Sequence, residues 1–307
     1  MDNQFISKEE IREALEKTGY YPDEQILNAV WVSILGGKPL ILEGTPGVGK
    51  TSVAHALAKG MGFNYQRLQM YEGLTADKIL YDFNYTKVLL ASNMIKDKAV
   101  SKYQDASIND ALQGIANDTN FFTDAFIIKR PILDAITNPK RTVLCIDELD
   151  KSSEEVEYML YEFLEDYSIT IPENGKTYTC DPDKRPIVFI TSNGYRELSG
   201  ALRRRCNYLY IKDKSTEDLA KILMARTNIS DNLALSIAEC FTKIRQQPAS
   251  LRHVPSVSEA IDFANYLSFA PVMTKQYVND GLAFICKNHR DEEVIKPKVA
   301  ELANVIG

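Results

Sequence analysis

The chain has 307 residues, 45% of them hydrophobic and 25% charged, which is enough apolar material for a real core and enough length for two domains. Its net charge of −6 argues against a broad non-specific grip on nucleic acid, which depends on many Lys and Arg displacing counterions. Five scattered cysteines with no C-x-x-C pair, and only His55, His253 and His289, argue against a disulfide framework or a zinc site and favour a reduced setting. No apolar run approaches the ~18 residues that span a membrane. Met1-Asp2-Asn3-Gln4 lacks a signal pattern, so a cytoplasmic location is expected.

Ser7-Lys8-Glu9-Glu10 is a capping box opening a helix that runs to about Thr18. Gly19-Tyr20-Tyr21-Pro22 breaks it. Asp23 then caps a second helix, with Ile26, Leu27, Val30, Trp31, Ile34 and Leu35 at helical spacing, ended by Gly36-Gly37. Pro39 to Leu42 reads as a short buried parallel strand.

Next comes Gly44-Thr45-Pro46-Gly47-Val48-Gly49-Lys50-Thr51, which fits G-x-x-x-x-G-K-[ST], the phosphate-binding P-loop. Glycines let the backbone curl so that several N–H groups converge on an anion. The helix starting at Ser52 adds its positive N-terminal end and is expected to stop at Gly60. Lys50 is placed to reach the β- and γ-phosphates, and the Thr51 hydroxyl to ligate Mg²⁺.

Asn64 to Gln69 reads as a second strand. Residues 71–125 look like an insertion, with an aromatic stretch from Tyr81 to Tyr85 and a helix from Lys87 to Met94. Ile127 to Ile136 is expected to form a helix entered through Pro131, and Thr142 to Ile146 a third strand. Ser152-Ser153-Glu154-Glu155 reads as a capping box before a helix striped with Val156, Met159, Leu160, Phe163 and Leu164. Residues 168–180 spell a hairpin about Asn174-Gly175. Ile187 to Thr191 and Tyr208 to Ile211 complete the strands.

Beyond Lys212 the pattern is all helical, with segments near 215–226, 231–246, 256–268, 274–288 and 291–305; Ser256 and Glu259 form one more capping box. The predicted fold is α/β: a five-stranded parallel sheet of the P-loop NTPase type sandwiched by helices over residues 1–212, then a small all-helical lid over 213–307.

The run Val143-Leu144-Cys145-Ile146 delivers Asp147 and Glu148 at the C-terminal end of a strand, where ligands bind in open α/β sheets. Asp147 suits the Walker B role of holding Mg²⁺ through water. Glu148 suits a base that orients and deprotonates the attacking water. Asn193, after the next strand, can hold that water or touch phosphate. Arg203-Arg204-Arg205 reads either as a solvated basic patch or as the source of an arginine finger, whose fork matches phosphate oxygens.

The P-loop, Asp147-Glu148, Asn193, the arginine cluster and the helical tail, in that order, resemble the AAA+ ATPases over nearly the whole chain. The aromatic insertion near 71–90, the hairpin at 168–180 and the stretches Asp147-Glu148-Leu149-Asp150-Lys151 and Ala201-Leu202-Arg203-Arg204-Arg205-Cys206 look like the MoxR-like group, in particular members encoded beside von Willebrand factor A domain proteins. The resemblance implies binding and hydrolysis of ATP with Mg²⁺ and a homo-oligomeric ring, usually a hexamer. It also implies Arg205 as the finger offered to a neighbour, ahead of Arg203 and Arg204, and a protein client, such as a von Willebrand factor A domain protein, that is remodelled or matured. It places the adenine near Tyr20, Tyr21 and Ile26. Many relatives carry an arginine at the start of the third lid helix, where this chain reads Pro255-Ser256-Val257-Ser258-Glu259; Arg252 is nearby, and no lid residue is assigned as nucleotide sensor.

The competing reading is an AAA+ nucleic-acid motor or loader, opposed by the charge of −6 and the lack of a DNA-binding module. A GTPase is disfavoured by the absence of an N-K-x-D element.

Overall fold

The computed structural model describes residues 6–102 and 123–306. Its strands, in chain order, are β1 (Leu40–Glu43), β2 (Asn64–Gln69), β3 (Tyr81–Phe83), β4 (Ile127–Lys129), β5 (Thr142–Asp147), β6 (Ser168–Ile171), β7 (Lys176–Thr179), β8 (Ile187–Ser192) and β9 (Asn207–Tyr210). Five of them form a parallel sheet in the order β2-β5-β8-β1-β9. The central strands β5 and β8 are buried along their whole length. Successive side chains alternate between two cores, as the two-residue period of a strand requires. Leu40, Leu42, Val143, Cys145 and Phe189 face one core, and Ile41, Leu144, Ile146, Val188 and Ile190 the other.

The first core is covered by α1 (Lys8–Lys17), α2 (Glu24–Gly36) and α3 (Lys50–Met61). The chain continues through α4 (Ala76–Ile79) and α5 (Tyr85–Lys102). The second core is covered by α6 (Pro131–Thr137) and α7 (Glu154–Asp166). α8 (Gly200–Arg205) leads into the edge strand β9. The remaining helices, α9 (Thr216–Arg226), α10 (Asp231–Arg245), α11 (Val257–Ser268), α12 (Lys275–Asp280), α13 (Leu282–Ile285) and α14 (Glu292–Ile306), share a hydrophobic cluster of their own, built around Phe241 and Phe263. No described helix is long and apolar enough to cross a membrane.

Several local expectations change. α3 does not stop at Gly60; it runs on to a left-handed cap at Gly62. Gly60 instead lets α1 approach, because a Cβ there would lie 2.0 Å from the Ala14 carbonyl oxygen. Residues 127–136 are not one helix. Ile127–Lys129 pair antiparallel with β3, and the helix begins at Pro131, whose missing N–H costs nothing in a first turn. The ribbon closes with the Asn84 N–H donating to the Phe126 carbonyl at 2.7 Å. The helix expected over 87–94 is longer and starts at Tyr85; the rest of the expected insertion, 103–122, lies outside the described residues.

The hairpin forms as β6 and β7. The capping box before α7 does not, since neither Ser153 nor its neighbour caps; the Ser152 hydroxyl turns back to the Leu149 carbonyl at 2.8 Å. The expected helix over 274–288 is broken at Gly281, where Phe263 and Tyr266 pack so closely that a Cβ would lie 2.6 Å from the Phe263 ring.

Candidate functional site

The loop between β1 and α3 turns on Gly47 and Gly49, whose φ values of 80° and 97° lie in the left-handed region that favours glycine. Lys50, the first residue of α3, is only 6% exposed. Its ammonium donates to the carbonyls of Gly44 at 2.7 Å and Thr45 at 2.9 Å. It forms no ion pair with a carboxylate among the described residues. Burial lowers its pKa, opposed by the fields of Asp150, Asp147, Glu148 and Glu43.

Asp147 closes the other side and is 2% exposed. Its Oδ1 accepts from the Thr51 hydroxyl at 2.8 Å and the Thr191 hydroxyl at 2.5 Å, and its Oδ2 accepts from Arg67 Nε at 2.9 Å. Burial alone would raise its pKa; the hydrogen bonds from Thr191, Thr51 and Arg67 outweigh burial and hold it below the ordinary carboxylate value.

Glu148 sits at φ 57°, a left-handed conformation that costs a non-glycine residue roughly 1–2 kcal/mol. It is pinned there by its own N–H donating to Thr191 Oγ1 at 2.8 Å and by the Lys151 N–H donating to its carbonyl at 2.9 Å. Its carboxylate accepts from Gln69 at 2.8 Å and from the Asn193 amide at 3.0 Å, and pairs with Lys151 at 2.8 Å. Asn193 is itself placed by Asp150, whose Oδ2 accepts from the N–H groups of Asn193 and Tyr195, each at 2.9 Å. Farther along the same segment, the fully buried Glu157 pairs with Arg196 and accepts from the Ser199 N–H at 3.1 Å, fixing the approach to α8.

A cavity of about 330 Å³ lies over the loop, between the sheet, the Gly19–Tyr21 turn and the C-terminal helices. A Cβ on Gly47 would lie 2.1 Å from the Ser256 Cβ, so the entry to α11 packs directly on the loop.

The profile of the AAA domain (dynein-related subfamily) matches residues 39–206, more than half of the chain. The chain belongs to this AAA family. The matched AAA region opens one residue before β1 and closes at Cys206, so it contains the loop, the β5 carboxylates, Asn193 and α8. Among solved structures, the FIGL-1 AAA domain in complex with ADP is similar at 17% identity and a TM-score of 0.41, covering 88% of this chain and 72% of that one. No curated protein matches the chain significantly in sequence.

Within this AAA domain, Pro46, Gly47, Val48, Gly49, Lys50, Thr51, Ser52, Asp147, Glu148 and Asn193 all line one cavity. Gly44 and Thr45 do not line it; their carbonyls accept from Lys50, and the Thr45 hydroxyl donates to Asp213 at 2.8 Å. Arg205 is not at this cavity. It pairs with Glu165 at 2.7 Å and lies 4.6 Å from the centre of the Tyr161 ring. Arg203 stacks over Tyr208, and Arg204 is exposed, its side chain without a hydrogen bond or ion pair among the described residues. Tyr20 and Tyr21 line the cavity, but Ile26 is buried in the core. Arg252 lies on the surface away from it.

Sequence reading missed Arg67, Gln69, Asp150 and Arg226. The first two share a strand face two residues apart at the end of β2, which a period-two reading of Tyr65, Arg67 and Gln69 offers as a polar stripe. Arg226, at the end of α9, reaches the cavity and donates to the Thr18 carbonyl at 3.3 Å.

Proposed function

We propose that the chain is an ATP-hydrolysing AAA+ protein of the MoxR-like group. In this reading it works in the cytoplasm as a homo-oligomeric ring of about six copies that remodels or matures a protein client, a von Willebrand factor A domain protein being the class that the MoxR-like resemblance implies. One observation carries the reading. Two hydrogen-bonded pairs, Thr51 with Asp147 and Asn193 with Glu148, line one cavity with a buried lysine that has no carboxylate partner among the described residues. A cation buried against carbonyls alone fits an anionic ligand, and a hydroxyl meeting a carboxylate at 2.8 Å is a hard-oxygen donor pair that fits Mg²⁺. Thr51 and Asp147 would hold the metal, which supplies charge neutralisation at the phosphates.

The chain's own residues do the rest. The loop N–H groups and Lys50 hold the phosphate chain, and Asn193 and Glu148 orient a water. Glu148 accepts its proton, and Arg205 of a neighbouring copy, released from Glu165, meets the developing charge. Residues 1–212 form the nucleotide-binding unit and 213–307 the lid; the separate cluster around Phe241 and Phe263 supports that division.

The test is Glu148→Gln. It should bind ATP while turnover falls at least 100-fold, and with Mg·ATP its mass by light scattering should move to about six subunits. Near-normal turnover would remove Glu148 as the base. A monomer with nucleotide bound would remove the ring. Mixing Arg205→Ala with Glu148→Gln subunits should recover part of the activity if the arginine acts on a neighbour.

A further inference from the structure

Beside the loop cavity runs a second groove of about 360 Å³, which shares Tyr20, Thr51, Arg67 and Arg226 with it. Its long wall is one face of α3, where Thr51, His55 and Lys59 recur every four residues. Tyr65 and Arg67, two residues apart on the edge strand β2, form the floor, and Arg226 closes the rim. No carboxylate lines this groove among the described residues, although the chain as a whole carries a charge of −6.

The cations also keep donors in reserve. Arg67 commits Nε and Nη2 to Asp147 and Gln69, which leaves Nη1. Among the described residues the Arg226 guanidinium commits only Nη1, to the Thr18 carbonyl. The Lys59 ammonium has no hydrogen bond or ion pair among the described residues. Where the groove meets the loop cavity, the Tyr20 hydroxyl is buried without a partner among the described residues, and the Tyr20 ring lies 3.5 Å from where a Gly49 Cβ would be. Like charges gathered in a half-enclosed groove repel one another and raise the local concentration of anions. Forked guanidinium groups suit phosphate oxygens in particular.

We propose that this groove is a second phosphate subsite, taking a phosphate or pyrophosphate group beyond those held on the P-loop. It rests on the reading of the loop cavity as a nucleotide site. The group can arrive free or be carried on the ribose of the nucleotide itself, and the same test separates these sources.

Calorimetric titration of the full chain, saturated with Mg·ADP and with magnesium in excess, should show one pyrophosphate bound per chain. His55→Gln with Lys59→Gln, both exposed and outside the loop, should weaken that binding at least tenfold and leave ADP affinity within twofold. Adenosine 3′,5′-bisphosphate binding tenfold tighter than AMP, with the preference lost in the double variant, would assign the phosphate to the nucleotide; equal affinities together with pyrophosphate binding would assign it to a free anion. Pyrophosphate that ignores the ADP-saturated chain, with no 3′-phosphate preference, would overturn the proposal, as would binding indifferent to the double variant. Failure of ADP itself to bind would strike the nucleotide reading instead. Pyrophosphate titrated onto Lys50→Met, with the loop disabled, would then read the groove alone.

Discussion

Arg67 and Asp147 are joined across neighbouring strands of the sheet, with Nε and Nη2 of the guanidinium both donating to Oδ2 at 2.9 and 2.5 Å. The other carboxylate oxygen faces the loop through Thr51. Asp147, the carboxylate proposed to hold the divalent cation, therefore already carries a fixed positive charge on its far side. A +1 charge a few ångströms from a +2 ion repels it appreciably even at the dielectric of water. Arg67→Met should lower the Mg²⁺ concentration needed for half-maximal ADP binding by about tenfold. An unchanged magnesium requirement would show that the guanidinium does not bear on the metal position.

The same pair sets a pH dependence. Asp147 titrates below its unfolded value, so its contribution to stability is present above about pH 3.9 and is lost as the pH falls through the folded value. Asp147→Asn should therefore melt well below the parent at pH 7, with the gap closing as the pH approaches 3. Melting curves at pH 7, 5 and 3 would test this, and a constant gap would refute it.

Lys50 separates folding from binding. Its pKa is lowered by burial, so its charge is carried at a cost to the folded state at neutral pH. Lys50→Met should lose nucleotide affinity by at least 100-fold while its Tm holds or rises. Calorimetry and thermal melting on one sample decide it; a large drop in Tm would make Lys50 a structural residue first.

Gly47 meets two demands at once, a φ of 80° and a contact in which a Cβ would lie 2.1 Å from that of Ser256. Gly47→Ala should destabilise the chain, and adding Ser256→Gly should restore part of the loss, leaving roughly 1 kcal/mol of left-handed strain. Urea unfolding of the two variants gives the comparison. No recovery in the double variant would mean that the entry to α11 does not rest on the loop.

The sheet was legible because β1, β5 and β8 are buried on both faces and so read as unbroken apolar runs, each ending in polar chemistry. The loop was legible because its spacing is local. Arg67 was not, since its partner lies 80 positions away and meets it only through a strand order that no local pattern states. Ile127 to Lys129 failed for a different reason. Three residues carry too little periodicity to tell strand from helix, and only the pairing with Tyr81–Phe83 decides. Gly60 was taken as punctuation because a sequence shows a missing side chain but not the neighbouring helix that needs the space.

The ribbon of β3 and β4 has a mechanical consequence. It pairs Phe83 with Ile127, and the next backbone bond joins Asn84 to Phe126, so the chain departs and returns through one small gate. Closing a loop costs free energy that grows only with the logarithm of its length. Added length beyond that gate therefore costs little, and what strain it exerts falls first on the ribbon and on β7, to which Asp124 is tied by Lys176 and Tyr178. The ribbon is a mooring post, and cargo of very different size, a natural appendage or an engineered reporter, can be tied there while the machinery behind it keeps its shape.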